Sequence, residues 1–60
     1  MELKQQLYLT IESLHRLELL CEQEAIRNRH LGNDKAEEQY ITVAKYAHLA
    51  AKDIYNEAVK

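Results

Sequence analysis

Proline is missing from this 60-residue chain, phenylalanine and tryptophan are absent, and glycine occurs once, at Gly32. With a single strong helix breaker just past its middle, the chain divides once, into two helices. Cysteine also occurs once, at Cys21. A lone thiol excludes an intramolecular disulfide, and no Cys/His set stands at zinc-finger spacing, so two of the usual staples of a small domain are lacking. One free cysteine without a disulfide framework fits a reducing compartment, and the expected location is the cytoplasm. The apolar runs are only a few residues long, and no basic segment leads into an apolar stretch at the N-terminus. Neither membrane insertion nor signal-peptide export is therefore expected. Eight Lys and Arg against ten Asp and Glu leave a formal charge of −2, without the basic footprint that nucleic-acid-binding modules usually carry.

Sixty residues form one domain at most, taken as 1–60, and a core of that size contributes little once conformational entropy is subtracted. Oligomerisation is the staple that remains, and a homodimer is the expectation. Leu31-Gly32-Asn33-Asp34 reads as the turn: Gly32 suits the left-handed position that ends a helix, and Asp34 is placed to cap the next one. Glu37, three residues later, completes a capping-box pattern. Arg27, Arg29 and His30 close the first helix, Glu37 and Glu38 open the second and Lys60 finishes it, each sign matching the helix dipole. The expected fold class is all-α: an antiparallel two-helix hairpin over about 2–30 and about 35–58, pairing with a second copy into a four-helix bundle.

Apolar residues that are present in quantity set the faces. Leu3, Leu7, Ile11, Leu14, Leu17, Cys21 and Ala25 form a seam on the first helix, and Ala36, Tyr40, Val43, Ala47, Ala50, Ile54 and Ala58 form one on the second, each at spacings of three and four. Leucines facing alanines predict close packing of large against small. Leu9 and Leu20 fall to one side of the first seam, and Tyr8, Leu19 and Ile26 to the other, at about 100° per residue. This surplus calls for another surface, because soluble monomers seldom leave such patches open to water. Leu9, Leu17, Leu20, Tyr8, Leu19 and Ile26 are thus the expected dimer or partner interface. Ile41, Tyr46 and Leu49 also lie off the second seam, as ordinary exposed residues or part of a partner site.

Candidate chemistry is sparse. Glu12 and His15 match the Glu-x-x-His spacing of metal-holding bundles, but the antiparallel partner offers only Asp53 near that level. The plainer reading pairs Glu12 with Arg16 on the surface. Cys21 lies on the seam, where a thiol behaves as a small hydrophobe. Glu18, Glu22 and Glu24 read as a solvated acidic face. Arg27, Arg29, His30 and Lys35 are the one basic cluster: they suit a helix C-terminus, and they are also the candidate contact for an anion or nucleic acid. The four tyrosines are candidate recognition anchors, with Tyr40 expected in the core. No catalytic residue, cofactor or bound metal is expected.

The whole-chain plan of helix, short turn at Gly32 and helix resembles the plasmid copy-number regulator Rop family. Those proteins are dimeric four-helix bundles that bind paired RNA loops, so the resemblance implies a nucleic-acid regulator working through the basic turn. The acidic balance departs from that family. In size, composition and layout the chain also resembles the very short helical proteins encoded in the early regions of temperate lambdoid phages. That resemblance implies a non-enzymatic regulator of phage development that acts through a host or phage protein. The expected partners are a second copy and another protein, with nucleic acid as the alternative and a metal-binding bundle as the remote one.

Overall fold

The computed structural model describes residues 2–60 as two antiparallel helices, α1 (Leu3–Leu31) and α2 (Asp34–Ala58), joined through Gly32 and Asn33. Their ends fall within a residue or so of the boundaries expected from the sequence. Gly32 adopts φ 76°, ψ 17°, and its amide donates to the Arg29 carbonyl while the Asn33 amide donates to the Asn28 carbonyl at 2.9 Å. These two bonds satisfy carbonyls that the end of α1 would otherwise orphan, and the left-handed residue between them is the one glycine.

The start of α2 is built differently from the sequence expectation. Asn33, not Asp34, occupies the cap position, and its side chain makes no capping bond. Instead Asn33 Nδ2 donates to Asn28 Oδ1 at 3.3 Å, and the Glu37 carboxylate turns away from the helix end to accept from Arg29 Nε at 2.6 Å. An arginine across the turn competes for that carboxylate and forms a charge-assisted bond in place of the capping box. Asp34 remains in the first turn, where its charge still favours the helix dipole.

Two side-chain contacts bridge the helices and mark their register: the Arg29–Glu37 ion pair near the turn, and Glu18 with His48, whose Oε1 and Nδ1 lie 3.4 Å apart, at mid-length. This register sets Cys21 level with Ala44, Leu14 with Ala51, Ile11 with Ile54 and Leu7 with Ala58. The inward residues of α1 are Leu7, Ile11, Leu14, Glu18, Cys21, Ala25 and Asn28, and those of α2 include Glu37, Ala44, Ala47, Ala51, Ile54 and Ala58. Steps of four and three alternate along α1 and, from Ala44 on, along α2, which is the pattern that keeps a stripe facing its partner along a left-handed helix pair.

Four seam residues expected from hydrophobicity are exposed in this geometry: Leu3 is 72% exposed at the start of α1, Tyr40 is exposed despite its expected core position, and two more give way to a neighbour. Leu17 and Val43 are exposed, and their neighbours Glu18 and Ala44 stand in the seam. On α1 the cause is periodicity, since the equal steps of the expected seam drift around the helix and Glu18 fills the inward position although Leu17 is more apolar. On α2 the expected and the observed stripes both alternate, and the helix is rotated so that Ala44 rather than Val43 faces α1. Tyr40 lies on the α2 seam with its outer edge in water. Among the described residues the buried ones are Cys21, Ala25, Ala44, Ala47 and Ala58, all small, which lets two backbones approach closely but leaves little apolar area inside. The molecule is a slender rod, with Cα extents of 44 × 17 × 10 Å. Among the described residues no helix is long and apolar enough to cross a membrane.

Candidate interaction surfaces

A pair of antiparallel helices is a single layer, so it presents two broad faces and two backs. At about 100° per residue, and with the seam as origin, the residues flanking it sort onto one face or the other. One face, called the Ile41 face, carries Tyr8, Leu19 and Ile26 from α1 beside Ile41, His48 and Tyr55 from α2. Shallow hollows on it are lined by Glu22, Ile26, Arg29, Ile41, Lys45 and His48. The other, the Leu17 face, carries Leu17 and Leu20 from α1 beside Val43, Tyr46 and Ala50 from α2. It has a broad depression on its α2 side among Ala36, Gln39, Tyr40 and Val43.

The interface residues expected from the sequence therefore do not form one patch. Leu17 and Leu20 share one face, Tyr8, Leu19 and Ile26 share the other, and Leu9 lies on the back of α1, opposite the seam. All six are exposed. Hydrophobicity places Val43 and Ala50 in the core, so of the α2 half of the Leu17 face the sequence anticipates Tyr46 but not those two. On α1 the alternating four-three spacing is the signal, since it seats Glu18 inward and frees Leu17. On α2 the stripe through Val43 and Ala50 alternates equally well, and the spacing alone does not separate it from the stripe through Ala44 and Ala51.

Electrostatics separates the two faces. Both side-chain contacts between the helices, Arg29–Glu37 and Glu18–His48, lie along the Ile41 face. On the Leu17 face Arg27 pairs with Glu24 at 3.8 Å and Lys60 with Glu57 at 2.9 Å, each within its own helix, while Asp53, seven residues after Tyr46, stands on the same face outside these pairs. Between Glu24 and Asp53 the face holds leucine, valine, tyrosine, alanine, glutamine and hydroxyl residues. The hydroxyls are already satisfied, because Thr10 donates to the Gln6 carbonyl at 2.8 Å and Ser13 to the Leu9 carbonyl at 3.0 Å. Covering this face would orphan neither group.

The basic cluster is dispersed by the helix. Arg27 and Arg29 are two residues apart and so point to nearly opposite sides of α1, each already held by a glutamate, while His30 turns toward the back and Lys35 sits on the first turn of α2. The turn thus brings the four residues to one end of the rod without aiming them at a common point. Glu12 pairs with Arg16 at 3.6 Å on the exposed surface. Among the described residues no three His, Cys, Asp or Glu side chains converge as metal ligands. The Cys21 thiol is buried in the seam. No protein-family model, curated protein or solved structure matches the chain.

Proposed function

We propose that the protein is a non-enzymatic, cytoplasmic regulator that acts through protein–protein contact, as a homodimeric hairpin forming a four-helix bundle. One observation carries this reading: among the described residues fifteen large apolar side chains are exposed, while the five buried residues are alanines and a cysteine. Burial of small residues contributes far less than burial of leucines, so the stabilising surface of this molecule is the part still facing water. A constant partner fits that balance, because the chain needs cover whenever it is folded, and a second copy is present wherever the chain is made. The two unlike faces give such a dimer one side for itself and one for a different protein. The layout shared with short early-region phage proteins suggests phage development as the process regulated.

The dimer reading is tested by thermal unfolding over a hundredfold range of concentration. Linked folding and association raise Tm with protein concentration, and a concentration-independent Tm for a well-folded monomer would overturn the reading. The regulatory reading is tested in the source cell: replacing Ile26 and Ile41 by serine should abolish function while leaving the dimer intact. Full function in that variant would remove the Ile41 face as the effector surface.

A further inference from the structure

The dimer reading leaves open which face meets the second copy; one observation sizes the interface and two separate the faces. The first is area. A compact monomer of 7.1 kDa exposes about 4,100 Å² by the surface–mass relation, whereas this chain exposes 4855 Å². The excess, about 750 Å², is close to the roughly 800 Å² that each partner contributes to a standard interface. One face of the rod is enough to supply it. Covering both with copies of the chain would go beyond that need.

The second is charge. A two-fold dimer brings a surface against its own copy, so charges near the axis meet their own kind and the centre is best left uncharged. The Leu17 face meets this condition at its centre, where Leu17, Leu20, Val43, Tyr46 and Ala50 carry no charge. Glu24 with Arg27 and Glu57 with Lys60 are paired within each helix to either side, and Asp53 is the unpaired charge toward the Glu57 end. The Ile41 face does not, because Glu22, Lys45 and Lys52 stand on it outside the interhelical pairs. The third is the cost of drying. Thr10 and Ser13 on the Leu17 face donate to carbonyls of their own helix, so neither of these two hydroxyls is orphaned when water leaves.

We infer that the Leu17 face, centred on Leu17, Leu20, Val43, Tyr46 and Ala50, is the surface through which two copies of this chain associate. The inference rests on the dimer reading and names its interface. The Ile41 face, with its mixture of apolar and charged residues, stays in water in the dimer.

One consequence is an inversion among the tyrosines. Tyr46 is the most exposed of the four in the single hairpin, at 66%, against 51% for Tyr55 on the opposite face. In the dimer Tyr46 is covered and Tyr55 is not. Nitration with tetranitromethane, mapped by mass spectrometry on the wild-type protein above its dimer Kd, should leave Tyr46 the less modified of the two. Preferential nitration of Tyr46 in a dimer would overturn the assignment. A dilution series measuring Kd for Leu17→Glu with Val43→Glu, and separately for Ile26→Glu with Ile41→Glu, gives an independent answer. The first pair should weaken association about 100-fold or more and the second by about threefold or less, the spread expected between buried interface positions and exposed ones. If the Ile41-face pair alone, or both pairs, broke the dimer, the Leu17 face would be the wrong interface although the dimer stood. A wild-type protein that stays monomeric would overturn the dimer reading itself. Should the Leu17→Glu, Val43→Glu variant unfold, the tyrosine pattern of the wild type still decides.

Discussion

Gly32 sits at φ 76° with open space where a side chain would project. Replacing it by alanine would meet no neighbour, so the cost is the left-handed backbone alone, about 1–2 kcal/mol. Gly32→Ala should lower stability by that amount in urea denaturation at a fixed protein concentration, without changing helix content. At the Glu18–His48 pair, the glutamate side chain is 19% exposed but the histidine is 63% exposed, and a contact that open to water couples weakly. A double-mutant cycle with Glu18→Ala and His48→Ala should return a coupling of about 1 kcal/mol or less. The role of Gly32 was legible in the sequence because a lone glycine between two helical patterns has few other uses. That of Glu37 was not: a capping box and an arginine across the turn compete for the same carboxylate, and only the three-dimensional approach of Arg29 decides between them.

At the scale of the helix, small residues govern how closely α1 and α2 approach. Ala44 and Ala47 are buried against α1, with no room for a larger side chain unless the backbones separate. Ala44→Leu or Ala47→Leu should therefore destabilise the protein by about 1–3 kcal/mol, the usual cost of overpacking. Leu49→Ala on the exposed back of α2 should change stability by no more than about 0.5 kcal/mol, which chemical denaturation of the three variants would check. The existence, length and antiparallel order of the helices followed from the missing prolines, the single glycine and the apolar spacing. The rotation of each helix was harder to read. A glutamate in the seam and exposed Leu17 and Val43 contradict a ranking by hydrophobicity. On α1 the strict alternation of four and three accounts for Glu18 and Leu17, whereas on α2 the stripes through Val43 and through Ala44 alternate alike and only the packing against α1 chooses between them.

The whole molecule is a two-helix rod whose apolar character lies mostly on its outside. Surplus leucines on α1 were apparent from the sequence, but their division between two faces was not, because it depends on the register marked by Glu18–His48 and Arg29–Glu37. That division is what gives the hairpin two different surfaces, one uncharged at its centre and one mixed. Only the first is suited to meeting its own copy.

Sedimentation equilibrium over a concentration series tests the central claim most directly. Self-association predicts a mass of about 14 kDa, twice the 7.1 kDa chain, falling toward the chain mass on dilution with loss of helix content as the cover is removed. A folded species that remains at 7.1 kDa at every concentration, with cooperative unfolding of its own, would contradict it.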